Sequence, residues 1–336
     1  MTKNCGEETS RTRLFEALAA SPGEIVSSSR VTERLGASRQ AVFKAVCALR
    51  DEGVPVESVP QKGYRLGSLD GVQAMPPTLI EYFLRGNPLF NKFIYLEETD
   101  STQSVIKSLA RQGAPAGVAA FSEIQTSGRG RRGRSWAGAP GKNLTFSVLL
   151  RPNIRPGEVQ LLNLAAGVAV KSTLRTLYSI PAELKWPNDI LCRGRKLCGI
   201  LSEAAGEPDR VYYAVTGIGA NINMTEDEIP GELLGSATSA RIESGKLLPR
   251  WRVFVELLSR LAECTGLLCS KAGGAELINL YRRECDTLGK DVKVIQDDET
   301  FTGRAEDVTD EGALVVRIGS EEKIFAAADV QHLRAV

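Results

Sequence analysis

The chain has 336 residues, 43% of them hydrophobic and 25% charged, and its 42 basic and 41 acidic side chains leave a formal net charge of +1. That length suggests two or three domains, and the even balance gives no global field to drive the chain onto DNA or a membrane, so any basic function must be local. The single histidine, His332, excludes a Ser-His-Asp or Cys-His nucleophilic centre unless the C-terminal segment folds back into one, and it excludes metal sites built on histidine. Chemistry must then rest on arginine, lysine, carboxylates and backbone dipoles.

Seven cysteines (Cys5, Cys47, Cys192, Cys198, Cys264, Cys269 and Cys285) form no C-x-x-C pair, and an odd count points to neither a disulfide framework nor a zinc site. Cys192 and Cys198 flank a basic stretch that would suit a thiol sensor, although buried structural thiols are the simpler reading. Met1 to Ser10 is polar with no apolar run of the kind that marks a signal peptide. No run of about 18 apolar residues occurs that would span a bilayer. The expectation is a reduced, cytoplasmic chain with no membrane partner.

After a polar tail over 1–10, residues 11–66 read as a small helical unit. Arg11 to Ala20 is helical with Leu14, Phe15 and Leu18 on one face. Ser29 to Leu35 is a second helix, Gly36 and Ala37 a tight turn, and Ser38 a good N-cap for a third helix through Arg50 with Val42, Val46 and Leu49 buried. Val54 to Leu66 then reads as two short strands around Pro60 to Gly63. The pattern is a winged helix-turn-helix, the helix-turn-helix itself at about 28–47. The third helix opens with Ser38, Arg39 and Gln40 and carries Lys44 and Arg50; these four, Ser38, Arg39, Gln40 and Lys44, are the candidate contacts to DNA bases and phosphates. Phe43 fits least well, since it falls on the outward face where a polar contact is expected. A module used only for dimerisation or packing is the alternative.

Residues 67–90 form a linker with a short helix from Thr78 to Arg85, and 91–285 the main domain. Its expected elements are a strand at Ile94 to Glu98, a helix to Arg111 capped by Asp100 or Ser101, and a strand at Gly117 to Glu123. Asn143 to Arg151 alternates Leu144, Phe146, Val148 and Leu150 as a strand, and Leu161 to Leu177 is a long helix. Leu184 to Trp186 and Lys196 to Ala204 look like paired strands joined by a turn at Arg193 and Gly194, followed by a strand at Val211 to Ile218. Helices at Pro249 to Cys269 and Ala275 to Cys285 are expected to close this α+β domain. From 286 to 336 the pattern changes to short strands punctuated by Gly312 and Gly319, which fits a small β-barrel.

Between the strand ending at Glu123 and the one beginning at Asn143 lies the most informative stretch, Gln125 to Trp136 (QTSGRGRRGRSW). It holds four arginines, three glycines and no acid. Guanidinium forks suit carboxylate and phosphate oxygens, and glycines let backbone amides approach the same anions. Taken alone, the stretch is equally a solvated basic loop. Downstream come KWPND (Lys185 to Asp189), RKLCGILSE (Arg195 to Glu203) and GIGANIN (Gly217 to Asn223).

With these four motifs in this order, the chain resembles the biotin protein ligases, from about Leu96 to Asn223 and more weakly to both termini. The resemblance implies a central sheet like that of class II aminoacyl-tRNA synthetases, a C-terminal SH3-like β-barrel and an N-terminal winged helix that binds operator DNA. It implies ATP with Mg2+ and biotin as substrates, with no dedicated protein metal site. The expected partners are a biotin carboxyl carrier protein with its acceptor lysine, operator DNA and a second copy in a ligand-promoted homodimer. Lys196, from the K-L-x-G-I strand, would be the principal electrostatic catalyst, with Arg131 and Asp189 beside it; Asp189 would orient the acceptor amine or a metal. Ser101, Thr102, Gln103, Gln125, Gly128, Arg129, Gly130, Arg131, Lys196 and Gly199 would hold biotin. Gln103 departs from the asparagine usual after Ser-Thr. Arg129, Arg131, Arg132, Arg134, Trp136, Asn188 and Asn221 would hold the adenylate, and Trp186, Pro187 and Asn188 would line the site. Three other readings stay open: a monofunctional ligase whose winged helix does not bind DNA, a metabolite-sensing regulator on a degenerate ligase domain, and a lipoate or octanoate ligase.

Overall fold

The computed structural model describes residues 10–136, 138–270, 273–296 and 299–333. It divides into two compact units: residues up to Gly86 together with Pro249–Val255, and Asn87–Leu248 together with Glu256–Val336. The polar tail expected over 1–10 lies outside the described residues except for Ser10.

In the first unit, α1 (Ser10–Ala19), α2 (Ser28–Leu35) and α3 (Arg39–Asp51) pack through Leu14, Phe15, Leu18, Val31, Val42, Val46 and Leu49, all buried. Ser27 and Ser38 cap α2 and α3 by accepting from the backbone N–H of Arg30 and Ala41, and Gly36 ends α2 with φ 58°, a left-handed turn that glycine adopts without strain. Strand β1 (Val26–Ser27) pairs with β3 (Gly63–Leu66), which pairs with β2 (Val56–Val59), so the expected two-stranded wing is a three-stranded antiparallel sheet. Gly63 is obligatory here, because a Cβ would stand 2.0 Å from the Val26 carbonyl oxygen. Short α4 (Pro77–Phe83) lays Tyr82 edge-on against Phe15 at 5.1 Å. The start of α8 (Arg250–Leu268) belongs to this unit, with Trp251 5.3 Å from Phe83, whereas the sequence placed the whole helix with the main domain.

The second unit is built on a seven-stranded sheet in the order β4-β5-β6-β10-β9-β8-β7. Its strands are β4 (Lys92–Thr99), β5 (Val118–Gln125), β6 (Leu144–Leu150), β7 (Ala182–Lys185), β8 (Asp189–Cys192), β9 (Arg195–Glu207) and β10 (Arg210–Ala220). Only β4 and β5 run parallel, joined across α5 (Thr102–Arg111). That helix buries Ile106 and Ala110 against Val118, Ala120, Leu149 and Val215, while α6 (Gln160–Tyr178) lies against β7, β8, β9 and β10. Strand β8 corrects the expectation that Leu184–Trp186 pairs with Lys196–Ala204: β7 pairs with β8, β8 pairs with β9, and the turn at Arg193 and Gly194 joins β8 to β9. A four-residue strand immediately after Trp186 and Pro187 is too short for alternation to mark it. In β6 the apolar and polar alternates are all buried, because the strand is central and Thr145 and Ser147 face a cavity.

Helices α7 (Ala240–Ser244), α8 and α9 (Gly273–Glu284) complete the helical complement of the described residues. The chain then forms a five-stranded antiparallel sheet, β14-β13-β12-β11-β15, from β11 (Asp291–Gln296), β12 (Glu299–Val308), β13 (Leu314–Ile318), β14 (Glu321–Phe325) and β15 (Asp329–His332). It is tied to the central sheet through Trp186, fully buried, whose backbone N–H donates to the Thr287 hydroxyl at 3.0 Å and whose indole N–H donates to the Gly312 carbonyl at 2.9 Å. Two buried donors of one residue, backbone and indole, are both satisfied across the junction of the two sheets.

Candidate functional site

A cavity of about 300 Å³ opens on the central sheet, with walls from the start of α5, the arginine loop, β6, β7 to β10 and β15. Its polar end is a short network at the N-terminus of α5. Gln125 Oε1 accepts from the Thr102 backbone N–H at 2.7 Å and from the Thr102 hydroxyl at 3.0 Å, and Thr102 Oγ1 lies 2.8 Å from Ser147 Oγ. Gln103 donates through Nε2 to the Leu201 carbonyl at 2.8 Å, while its buried Oε1 has no hydrogen-bond partner. An unpaired buried acceptor in a cavity wall is a place for a ligand donor. The amide of Gln103, one methylene longer than asparagine, also explains Gly217: a Cβ there would sit 2.7 Å from Gln103 Nε2.

The cavity floor is glycine. Gly199 and Gly219 are direct partners across β9 and β10, and a Cβ on either would stand 3.0 Å or 2.3 Å, respectively, from the Trp136 ring. The indole of Trp136 therefore rests on bare backbone, with its buried Nε1 unpartnered. It closes a narrow hairpin made by the arginine loop, in which Trp136 N–H donates to Gly128 O at 2.9 Å and Gly130 N–H to Arg134 O at 2.7 Å. Gly128 permits that closure, since a Cβ would lie 2.4 Å from the Trp136 carbonyl oxygen.

Five cations gather at the other end. Arg131 Nη1 donates to the Ala328 carbonyl at 3.2 Å and to Asn188 Oδ1 at 3.4 Å, and burial pulls its guanidinium pKa below the usual value. Arg134 pairs with the Asp329 carboxylate, and Arg132 Nη1 lies 3.9 Å from the same group. Lys196 Nζ lies 2.6 Å from Asp189 Oδ1 and 5.8 Å from the centre of the Trp136 ring. Lys185, opposite Asp189 in the β7–β8 register, also lines the cavity, its pKa lowered by burial and, more weakly, by Lys196, with Asp189 opposing. Among the described residues no group of three His, Cys, Asp or Glu side chains could hold a metal ion, and both cavity carboxylates, Asp189 and Asp329, face cations.

The structure thus brings Ser101, Thr102, Gln103, Gln125, Arg129, Gly130, Arg131, Arg134, Trp136, Asn188, Asp189, Lys196 and Gly199 into one cavity wall. Gly128 shapes the loop behind it and Arg132 turns to Asp329. Asn221 is buried outside the lining, where it accepts from Asn143 and donates to the Thr238 carbonyl at 3.1 Å. Among the lining residues not assigned from sequence are Lys185, Ser147, Gly217, Gly219 and Asp329. Lys185, Gly217 and Gly219 lie in the quoted motifs; Ser147 lies outside them on β6, and Asp329, almost 200 positions past the arginine loop, carries no local signal. His332 does not line the cavity; it bonds the Thr287 hydroxyl at 3.0 Å. Cys192 and Cys198 are buried thiols with pKa values pushed by burial to about 12 and above, which favours structure over sensing.

Residues 95–221 match the Biotin/lipoate A/B protein ligase family, 287–333 the Biotin protein ligase C terminal domain and 11–65 an HTH domain. The Bifunctional ligase/repressor BirA of Bacillus spizizenii is 33% identical over 331 residues, 96% of this chain and 98% of the relative. The chain belongs to the bifunctional biotin ligase/repressor family. The Escherichia coli member of that family is 32% identical over 88% of each chain. A biotin protein ligase from Aquifex aeolicus solved with biotin and ATP superposes with a TM-score of 0.63 at 29% identity, covering 73% of this chain and all of its own. No helix among the described residues is long and apolar enough to cross a membrane.

In the first unit α3 leaves Arg39, Gln40, Phe43 and Lys44 exposed on one stripe. Ser38 spends its hydroxyl on the cap, and Arg50 is pinned to the wing, donating to the Val56 carbonyl at 2.7 Å and to Ser58 Oγ at 2.9 Å. Of the four residues expected to contact DNA, Arg39, Gln40 and Lys44 are exposed on α3, and the Ser38 hydroxyl is taken up by the cap.

Proposed function

We propose that the protein is an ATP-dependent biotin protein ligase that forms biotinyl-5′-AMP, transfers biotin to a lysine of a biotin carboxyl carrier protein, and represses transcription with biotinyl-5′-AMP as corepressor. The observation that carries this reading is the cavity itself: a glycine floor and an amide-rich end suited to a flat, uncharged ring, facing a cationic end suited to phosphates.

Biotin's ring would lie by Gln103 and the Thr102–Gln125–Ser147 network, its chain against the Trp136 ring that covers Gly199 and Gly219, and its carboxylate toward Lys196 and Arg131. A carboxylate oxygen then attacks the α-phosphorus of ATP, and the bond to the leaving pyrophosphate breaks. Both reactants are anionic, so much of the barrier is charge repulsion, which fixed cations lower most in a site screened from water. Lys196, Lys185, Arg129 and Arg131 supply them. The cavity carboxylates both face cations, so Mg2+ would be carried by the nucleotide phosphates, where it would offset their charge. In the second step the neutral acceptor lysine amine attacks the acyl carbon, the acyl–phosphate bond breaks, AMP leaves, and the amide forms with loss of a proton to solvent; Lys196 would stabilise the oxyanion and Asp189 would orient the amine. The described α3 stripe supports the repressor half, with a homodimer on a two-half-site operator in the cytoplasm as its setting.

Biotin-dependent ATP–pyrophosphate exchange by the purified protein, with lipoate and octanoate in parallel, tests the enzyme. Exchange with biotin alone is expected. Exchange with no acid, from folded protein supplied with Mg2+, would replace it with the metabolite-sensing regulator.

A further inference from the structure

Helix α3 holds one residue that neither the core nor its charge explains. Phe43 stands in the middle of α3 and is 59% exposed. The opposite face of the helix is spent on packing: Val42, Ala45, Val46 and Leu49 are buried against α1, α2 and the wing. On the outward face Arg39 lies four residues before Phe43, Gln40 three before it, and Lys44 next to it, so all four side chains share one surface over two turns. That stripe holds no acid, and the one exposed acid of α3, Asp51, stands at its far end. Lys62, exposed at the tip of the wing, extends the positive character. An apolar ring framed by two cations and an amide matches a surface that alternates phosphate, base edges and isolated methyl groups. The major groove of B-form DNA is such a surface, and its only apolar feature is the 5-methyl of thymine.

We propose that Phe43 is a sequence-reading residue: its ring packs on thymine methyl groups in the major groove, while Arg39, Gln40 and Lys44 hold phosphates and neighbouring base edges. The proposal rests on the DNA-binding half of the function above and adds the base it selects and the residue that selects it. Selectivity of this kind needs no hydrogen bond, because cytosine differs from thymine at the same groove position by lacking the methyl.

The test is selection from a randomised duplex pool by the full-length protein with biotin, ATP and Mg2+, in parallel with Phe43→Ala and Phe43→Leu. The wild type should enrich thymine at one fixed offset in each half-site, and Phe43→Ala should lose that preference while keeping the others. In the selected duplex, replacing that thymine by deoxyuridine removes only the methyl. It should weaken wild-type binding about four-fold, the factor for one buried carbon, leave Phe43→Ala unaffected and weaken Phe43→Leu. Unchanged thermal unfolding of the variants confirms that the exposed site does not perturb the fold. Wild-type affinity indifferent to deoxyuridine, or a Phe43→Ala pool identical to the wild-type pool, would overturn the proposal and leave DNA binding intact. If Phe43→Ala binds no duplex at all, the deoxyuridine response of Phe43→Leu decides, its absence counting against the methyl contact. No enrichment by the wild type would remove the DNA-binding reading, and the proposal with it. A variant altered in oligomeric state but not in base preference would assign Phe43 to a protein contact instead.

Discussion

Replacing Lys196 by alanine probes the electrostatic account most directly. Lys196 Nζ sits 2.6 Å from Asp189, and the two side chains are 39% and 18% exposed. A unit charge about 4 Å from a developing oxyanion is worth about 4 kcal/mol at an effective dielectric near 20, and about 1 kcal/mol in bulk water. The partial exposure of Lys196 places it between these limits, so about 2–3 kcal/mol of transition-state stabilisation should vanish, a loss of about 30- to 150-fold in kcat. The biotin KM should rise by a smaller factor than kcat falls, because Lys196 also faces the bound carboxylate but acts most strongly where negative charge accumulates in the transition state. The ion pair itself is partly exposed and contributes no more than about 1 kcal/mol to folding, so the variant should fold with a small change in Tm. Single-turnover formation of biotinyl-5′-AMP measures the step, with pyrophosphate exchange as the steady-state check. Undiminished kcat with a weaker biotin KM would refute the electrostatic role. Asp189→Asn in the same assays separates two duties: if the carboxylate only holds Lys196, both half-reactions slow alike, whereas an amine-orienting role slows transfer to the carrier more than adenylation.

Gly219→Ala places a methyl 2.3 Å from the Trp136 ring and must displace it; the biotin KM should rise at least about ten-fold, on the scale of a steric clash worth more than about 1.4 kcal/mol, and a wild-type KM would show that the ring has no part in closing the site. Trp186→Phe leaves the Gly312 carbonyl without its indole donor and should lower stability to urea by about 1–3 kcal/mol, and a loss below about 0.5 kcal/mol would mean the two sheets are held by other contacts. His332, the only histidine, should titrate near pH 4, because burial and then Lys185 and Lys290 disfavour its cation against the opposing Asp286. Its ring-proton NMR signals can be assigned without ambiguity, and a midpoint near 6.5 would contradict that packing. Since the folded state then binds the proton more weakly than the unfolded chain, His332's contribution to stability is present above about pH 6.5 and is lost as pH falls toward 4.

Much of the site was legible because its chemistry is concentrated in short runs. The arginine loop declares itself by composition and the helix-turn-helix by Ser38, Gly36 and the Val42–Val46–Leu49 stripe, whereas Lys196 with Gly199 and Asn188 with Asp189 are marked by the resemblance of their motifs to those of the biotin protein ligases. Strand β8 was not legible, since four residues beside Pro187 carry too little alternation. The burial of Thr145 and Ser147 was also hidden, as nothing local says whether a strand's second face meets solvent or a cavity. Lys185 was in view within KWPND but unassigned, because only the β7–β8 register sets it opposite Asp189.

The sequence by itself determined which side chains could do adenylate chemistry, since an anion-activating site without histidine must draw on guanidinium, ammonium and backbone groups, and those lie in contiguous motifs. Tertiary structure decided how they are held. It paired Gly199 with Gly219 beneath Trp136, brought Asp329 from β15 onto Arg134, and turned Asn221 away into its own hydrogen bonds. Those outcomes depend on strand register and on how two sheets meet through Trp186, which are long-range geometric facts that no local window of sequence contains.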